Sequence, residues 1–164
     1  MLMKDLLQSI PYPGKIEWIG LRPEKRGTIE AVPSARLTPE EGLAGDHYSG
    51  RSGQRQVTLI QAEHLPVVAA ILRKSEADPA LARRNIAVSG INLLALKGQQ
   101  FRLGEALLEY TGECHPCSRM EQNFGPGGYN AMRGHGGITA RVIRGGTISV
   151  GDAVSLHITE EGHE

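Results

Sequence analysis

Short apolar segments that end at glycines constrain the fold of this chain more than any other feature. From residue 85 onward they follow one another closely, and two of them share a pattern, FRLGEAL at residues 101–107 and ISVGDAV at residues 148–154. Each is an alternating strand interrupted by a glycine and an acidic residue, which is typical of a tight hairpin or a bulged corner. Glycine makes up 21 of the 164 residues, well above its usual share. This pattern predicts a mixed, mainly β fold, a small barrel or strongly bent sheet with a few short helices.

Length and charge exclude several classes of protein. A chain of 164 residues is long enough for one domain with its own core. Its 18 basic and 18 acidic residues give zero net charge, which argues against a general nucleic-acid binder. No apolar run is long enough to span a membrane, and the N-terminus lacks the features of a signal peptide. We therefore expect a soluble cytoplasmic protein that has neither nucleic acid nor a membrane as a partner.

The order of elements follows from apolar periodicity and from Gly and Pro positions. We expect an N-terminal arm over residues 1–14, one domain over 15–158 and a short tail over 159–164. Within the domain, residues 15–21 read as a strand ended by Arg22-Pro23, residues 28–37 as a second extended segment and residues 56–60 as a third strand. Helices are predicted where apolar residues have helical spacing or caps are present, at residues 65–72, from Asp78-Pro79 to about Arg84, and at 118–123.

The sharpest chemical feature is the segment Cys114-His115-Pro116-Cys117, which contains both cysteines of the chain. It lies between a predicted strand and a predicted short helix, where a thiolate would face unpaired N–H groups. Three functional interpretations are open: a dithiol redox pair, a zinc site completed by His47 and His135, or a thiolate that ligates a metal cofactor. The alternative without a function is that both cysteines are small buried apolar residues.

Several other segments are typical of anion binding. Arg83, Arg84 and Asn85 stand where a helix is predicted to give way to a strand. A polar, glycine-rich loop over residues 45–51 contains His47 and is followed by Arg55. Two glycine-rich runs, residues 125–128 and 134–137, could present backbone N–H groups to an anion. Together with a reactive thiol, these segments predict a pocket for a phosphorylated polar cofactor.

Three stretches carry a resemblance to a known family. They are GLAGDHYSG at residues 42–50, ARRNIAVSGINLLALKGQQFRLGEALLEYTGECHPCSRME at 82–121, and GHGGITARVIRGGTISVGDAV at 134–154. The chain resembles the MOSC family, named after the C-terminal domain of molybdenum cofactor sulfurase. This resemblance implies a β-barrel-like fold with a pocket for the molybdenum cofactor, molybdopterin. It also implies a cysteine that ligates molybdenum or carries sulfur as a persulfide.

The resemblance assigns roles to particular residues. Cys117 matches the pocket cysteine of the family's Pro-Cys motif and is expected to be both the catalytic residue and the metal ligand. Cys114 is a possible resolving thiol. The residues expected to hold the pterin and its phosphate are Arg83, Arg84, Asn85, Arg55 and His47. Pyridoxal phosphate is an unlikely cofactor, because none of the five lysines stands in a recognisable Schiff-base site.

The implied function is a molybdenum-cofactor-dependent oxidoreductase that reduces N-hydroxylated or related N–O substrates, with an electron-transfer partner. The alternative is a sulfur carrier, in which a cysteine desulfurase loads Cys117 with a persulfide, or a cofactor-delivery module without turnover. We expect neither of two features of larger relatives here, the additional N-terminal domain of amidoxime-reducing members and the desulfurase domain of the sulfurases. The sequence leaves catalysis and sulfur transfer both open.

Overall fold

The computed structural model describes residues 1–25, 27–47 and 53–158. Its strands are β1 (Gly14–Leu21), β2 (Glu30–Ala31), β3 (Ser34–Thr38), β4 (Gly42–Leu43), β5 (Val57–Gln61), β6 (Ile86–Ser89), β7 (Gln100–Leu103), β8 (Ala106–Glu113), β9 (Ile138–Arg144), β10 (Gly146–Ser149) and β11 (Ala153–His157). Its helices are α1 (Met3–Leu7), α2 (His64–Leu72), α3 (Ser118–Phe124) and α4 (Gly128–Met132), with a 3₁₀ helix at Leu93–Leu96. None of these helices, within the described ranges, is long and apolar enough to cross a membrane.

Seven strands close into a barrel in the order β1-β11-β7-β8-β9-β5-β6 and back to β1. All neighbouring pairs are antiparallel except β5 and β6, which are parallel. A parallel pair needs a crossover connection, and here residues 62–85 provide it, with α2 inside it. A smaller sheet of β10, β3 and β4 lies beside the barrel. The structure confirms the prediction of a mainly β, barrel-like fold with a few short helices.

The two related glycine corners differ in what they join. Gly104, at φ +56°, begins a two-residue hairpin between β7 and β8, in which Leu103 pairs with Ala106. Gly151, at φ +96°, follows β10 and turns the chain from the small sheet into β11 of the barrel. The corners pack together, because a Cβ on Gly104 would approach the Asp152 carboxylate. Glycine is therefore required at position 104 both for backbone conformation and for space.

Apolar side chains from every barrel strand fill the interior. Ile16, Leu59, Phe101 and Leu108 are fully buried there. Alternation along the strands sends one set of side chains inward, as for β7, where Phe101 and Leu103 are buried and Arg102 is exposed. The barrel interior is thus a packed core without a channel.

A second apolar cluster lies between the outside of the barrel and the helices. It joins Ile60 and Ala87 of the parallel strands to Val68 of α2, Phe124 of α3 and Met132 of α4. Since α2, α3 and α4 are short, most of their stability comes from this shared cluster. The cluster also holds α3, and therefore the residue that precedes it, Cys117, against the mouth of the barrel.

Several local predictions are confirmed and some are wrong. The structure confirms the strand at 15–21, the strand at 56–60 and the helices at 65–72 and 118–123. The segment 28–37 is two strands separated near Pro33, and the loop after it contains the unpredicted β4.

The predicted helix from Asp78 to Arg84 is wrong. Residues 79–83 form consecutive turns, in which Leu81 N–H donates to the Asp78 carbonyl oxygen and Arg83 N–H to that of Ala80. Asp78 caps the first of these turns, with its carboxylate accepting from Ala80 N–H at 2.9 Å. Arg83 then has a left-handed backbone, which prevents any helix from continuing.

Candidate functional site

A cavity of about 360 Å³ opens at one end of the barrel, where β5, β6, β8 and α3 meet. That volume lies within the range of small-molecule and cofactor sites. The loops after β1 and β4 form its other wall. Its lining residues are Arg22, Ile29, Asp46, His47, Arg55, Gln56, Thr58, Arg83, Arg84, Asn85, Cys114, Cys117 and Met120. Four guanidinium groups and a single carboxylate are among these described residues, so the cavity is strongly cationic.

Arg83 and Arg84 are adjacent but have different environments. Arg83 has a left-handed backbone at φ +58°, a strained conformation for a residue other than glycine. Its Nη2 is buried and has no hydrogen-bond partner within the described structure. Arg84 is 6% exposed and donates to three carbonyl oxygens, Gly136 at 2.7 Å, Ala82 at 2.8 Å and Cys114 at 3.5 Å.

The buried side chain of Asn85 forms hydrogen bonds with two barrel strands. Its Oδ1 accepts from the backbone N–H and the hydroxyl of Thr58, at 3.2 and 3.1 Å. Its Nδ2 donates to the Gly20 carbonyl oxygen at 3.3 Å. The side chain thus links β5 to β1 at the floor of the cavity, where backbone groups would otherwise lack partners.

Arg22 and the Asp46-His47 pair are held together by backbone contacts. Arg22 N–H donates to Asp46 Oδ1 at 2.6 Å, and Arg22 Nη2 donates to the His47 carbonyl oxygen at 3.0 Å. Burial raises the pKa of Asp46 above its ordinary value, although the Arg22 N–H and the charges of Arg22 and His47 oppose this shift. Burial also lowers the pKa of Arg83, and the positive charges of Arg22 and Arg119 add to that effect.

Three buried polar side-chain atoms lack a partner in the part of the chain that the structure describes, and all three belong to cavity residues. They are Arg22 Nε, His47 Nε2 and Arg83 Nη2. A buried donor without a partner costs about 1–3 kcal/mol, so such atoms are uncommon and need an explanation. An anion bound in the cavity would supply acceptors for both guanidinium groups and would offset their mutual repulsion.

The two cysteines differ in exposure. Both are free thiols, Cys114 buried and Cys117 exposed, and both line the cavity. Arg55 Nη2 approaches Cys114 Sγ at 3.7 Å. Cys117 immediately precedes α3, as predicted, and its carbonyl oxygen accepts from Met120 N–H at 2.9 Å. The exposed thiol is therefore the one available to a metal or to a partner.

In both glycine-rich runs, other parts of the protein occupy the space beside the backbone. The N–H groups of Gly127 and Tyr129 both donate to the Glu121 carboxylate, at 3.0 Å each, and lower the pKa of that carboxyl. Gly136 and Gly137 are required by close packing, because a Cβ on either would overlap a carbonyl oxygen, that of Cys114 or of Leu59. The prediction that these runs bind an external anion is wrong for the first run, where Glu121 is already the anion.

The zinc interpretation finds no site within the described residues. No group of three or more His, Cys, Asp or Glu side chains there could hold a metal ion. His47 lines the cavity, whereas His135 donates from Nδ1 to the Ala131 carbonyl oxygen and packs edge-on against His64 at 4.9 Å.

The structure brings together the two cysteines and the five residues that were expected to hold the cofactor. Cys114, Cys117, Arg55, His47, Arg83, Arg84 and Asn85 all line one cavity, although they come from four separate parts of the chain. Of the predicted polar loop 45–51, residues 48–51 lie outside the described residues. Sequence patterns did not predict Arg22 as a site residue, since Arg22-Pro23 indicates only the end of a strand.

The family of the chain follows from comparison with known proteins. The model of the MOSC domain matches residues 40–155, which is well over half of the chain. The chain belongs to the MOSC family. The match covers Asp46, the Arg83-Arg84-Asn85 segment and both cysteines, while Arg22 and all of β1 lie before it. No curated protein matches the chain.

Solved structures show the same MOSC fold at low sequence identity. The YuaD protein from Bacillus subtilis has a TM-score of 0.76 at 20% identity, over 91% of this chain and 98% of that one. YiiM from Escherichia coli has a TM-score of 0.70 at 22% identity, over 91% and 71%. YiiM from Geobacillus stearothermophilus has a TM-score of 0.71 at 17% identity, over 92% and 78%.

Proposed function

We propose that this MOSC protein binds the molybdenum cofactor in the 360 Å³ cavity, with Cys117 as a thiolate ligand of molybdenum. The loaded protein is an oxidoreductase that reduces N-hydroxylated or related N–O substrates with electrons from a partner. One observation carries the proposal. Three buried polar atoms that have no partner among the described residues line the same cavity as the exposed Cys117.

The donor set fits a phosphorylated group. Arg22, His47 and Arg83 provide buried nitrogen atoms that no group in the described ranges contacts by a hydrogen bond. Guanidinium groups match the planar, two-oxygen face of a phosphate, and hydrogen bonds between ionised groups are among the stronger ones. We therefore assign these three residues to the cofactor's phosphate. The predicted phosphate contacts of Arg84 and Asn85 are less favoured, since their polar atoms already bind protein groups.

The thiol fits a soft metal. Thiolate sulfur is a preferred ligand of soft and borderline transition metals, and Cys117 is the exposed cysteine. Arg83 and Arg84 lie close enough to interact electrostatically with a thiolate at Cys117. Arg55 donates to the sulfur of the buried Cys114, so that Cys117 is the cysteine exposed to a ligand. The reaction takes place in a reducing compartment such as the cytoplasm, where Cys117 remains a free thiol.

When bound, the molybdenum centre would supply the exchange of electrons and of an oxo group. The chain's own residues bind and orient it. Cys117 holds the metal end, and Arg22, His47 and Arg83 hold the phosphate end. Asp46 has a raised pKa because of burial and lies beside Arg22, so its carboxyl can hold a proton near the cationic wall at a pH where an exposed carboxyl would not.

The proposal is tested by the molybdenum content of protein made in a host that synthesises the cofactor. Wild type is expected to contain close to one molybdenum per chain. Cys117→Ser should lose it, whereas the matched control Cys114→Ser, at the buried thiol, should keep it. Wild type without molybdenum, or Cys117→Ser with the wild-type content, would overturn the assignment.

A second candidate is a sulfur carrier or cofactor-delivery module, and the exposure of Cys117 favours it because a partner protein can reach that thiol. Incubation with a cysteine desulfurase and free cysteine should then add the mass of one sulfur atom to Cys117. The adduct should be absent in Cys117→Ser. If neither the adduct nor retention of added cofactor is detected, this candidate fails.

A further inference from the structure

Arg84 is a cavity-wall side chain whose three nitrogen atoms all have protein partners. Its Nε, Nη1 and Nη2 each donate to a different backbone carbonyl oxygen. These acceptors belong to the turn before β6, to the loop before β9 and to the residue that follows β8, three places far apart in sequence. The Arg84 side chain therefore links three separate backbone segments by hydrogen bonds.

The segment that contains the two cysteines is held in part by the Arg84 side chain. The Cys114 carbonyl oxygen accepts from Arg84 Nη2, and Cys114 N–H donates to the Gly137 carbonyl oxygen at 2.8 Å. Gly136 packs so closely that a Cβ there would overlap the Cys114 carbonyl oxygen. Both backbone groups of Cys114 are thus fixed, one of them directly by Arg84.

Cys117 follows Cys114 by three residues, and one of the two between is proline. Proline fixes its own backbone torsion and restricts the residue before it, so the segment has little freedom of its own. At its far end the segment enters α3, which the second apolar cluster holds through Met120 and Phe124. The location of the Cys117 sulfur is therefore set by two anchors, the Arg84 network and the packing of α3.

The positive charge of Arg84 also favours a Cys117 sulfur that lies near it. Burial lowers the pKa of Arg84, and negative charge on thiolates at Cys114 and Cys117 opposes this effect. Arg84 and a thiolate at Cys117 therefore attract each other. In contrast, Nη2 of the neighbouring Arg83 has no hydrogen-bond partner in residues 1–25, 27–47 and 53–158.

We infer that Arg84 is a positioning residue that fixes the Cys114–Cys117 segment, and with it the Cys117 sulfur, and that Arg84 does not bind the phosphate. This inference rests on the proposed role of Cys117 as the reactive thiolate. It divides the adjacent arginine pair into a ligand-binding residue, Arg83, and a wall residue, Arg84.

The first test uses the intact chain and an arginine-specific reagent, phenylglyoxal, with modification sites located by mass spectrometry. Arg83 should react and become protected about tenfold when inorganic phosphate is added, as expected for a charged hydrogen bond. Arg84 should react slowly in both conditions, because its nitrogens are bound to carbonyls. Modification of Arg84 that phosphate prevents would overturn the inference.

The second test measures how fast iodoacetamide alkylates Cys117 in a Cys114→Ala background. Arg84→Gln and Arg84→Lys should each change the rate several-fold, because the Cys114–Cys117 segment loses an anchor and the sulfur changes its exposure and its distance from the guanidinium groups of the cavity. Lysine should not rescue the rate, because one ammonium cannot reach three carbonyls. Phosphate affinity should remain at the level of the Cys114→Ala parent in both variants and fall in Arg83→Gln.

Gln61→Met is the matched control for a merely structural role. Gln61 is also buried and also joins backbone groups, donating to Ile91 O at 2.8 Å and accepting from Leu93 N at 3.0 Å. The Gln61→Met substitution should lower the stability of the protein and leave the alkylation rate of Cys117 unchanged. A parent-like rate in Arg84→Lys, or an equal change in Gln61→Met, would contradict the inference. If the Arg84 variants do not fold, the phenylglyoxal result decides, and neither test requires molybdenum, so the proposed function can fail separately.

Discussion

The barrel interior and the cavity wall differ in how well their side chains are satisfied by the folded chain. Inside the barrel, Ile16, Leu59 and Phe101 are fully buried among other apolar side chains. At the cavity wall, Arg83 has a strained backbone and a buried nitrogen without a partner in the described structure. Local preferences and global packing agree in the first region and conflict in the second. Such conflicts are expected where a protein is built to bind something, because the ligand completes the interactions.

The difference teaches where stability and function are located. The interior can lose little without lowering the free energy of unfolding, whereas the wall also holds nitrogen atoms of Arg22, His47 and Arg83 that have no partner within the described residues. Substitutions of these three residues should therefore change binding more than stability, and substitutions in the interior should do the reverse.

The largest effect is expected inside the barrel. Phe101→Ala should lower the free energy of unfolding by about 3–5 kcal/mol, because it removes a fully buried ring and leaves a cavity. Cys117→Ser, at an exposed position, should change it by less than about 0.5 kcal/mol. Urea denaturation of both variants measures the difference. Equal losses would mean that the two regions do not differ as described.

Relief of strain in the wall should have an intermediate effect. Arg83→Gly should raise the free energy of unfolding by about 1 kcal/mol, since glycine accepts the left-handed backbone without strain. The same variant should weaken binding of inorganic phosphate about tenfold, because a guanidinium donor is lost. Chemical denaturation and isothermal titration give the two values.

Arg73→Gly is the matched control for this prediction. Arg73 also has a left-handed backbone, at φ +56°, but it caps the C-terminus of α2, outside the cavity lining. It should gain similar stability and keep the parental phosphate affinity. A loss of affinity in Arg73→Gly would show that stabilisation alone weakens binding.

The smallest effect concerns pH and lies outside both regions. Burial lowers the pKa of His64, the charge of His135 adds to this, and Glu63 opposes it. The unfolded chain therefore takes up a proton at this position near pH 6.5, and the folded chain does so only at lower pH. Stability should be fully present above pH 6.5 and decline as pH falls toward the lower pKa of the folded state.

Replacing His64 should remove this part of the pH dependence. Thermal unfolding between pH 7.5 and 5.5 should show a shallower decline for His64→Gln than for the parent chain. His115→Gln, at an exposed imidazole, should leave the decline in place. A parent-like profile in His64→Gln would assign the decline to other groups.

Much of the fold is readable from the sequence because alternation and glycine corners are local signals. They predict β1, β5 and the Gly104 hairpin, and they indicate a closed or strongly bent sheet. The strand β4 is missed because two residues carry no periodicity. The helix predicted after Asp78 fails because its capping signal also suits a series of turns, and nothing in the sequence reveals the left-handed backbone of Arg83.

The site was only partly readable, and for a different reason. Residue types and the family resemblance indicated the cysteines, the arginine pair and Asn85, and the structure brings these residues into one cavity. Arg22 was missed because it reaches the cavity only through the place of β1 in the barrel. The contrast between Arg83 and Arg84 depends on which carbonyl oxygens surround each guanidinium, and sequence alone does not specify this.

The account is tested most directly by titrating inorganic phosphate into the intact chain and into three single variants, Arg22→Gln, His47→Gln and Arg83→Gln. The central claim is that the buried nitrogens of these residues, which lack partners in the part of the chain that the structure describes, form an anion site. One phosphate should bind per chain, and each variant should bind about tenfold more weakly, since each lacks one buried polar contact to the anion. No detectable binding, or parental affinity in all three variants, would contradict the claim.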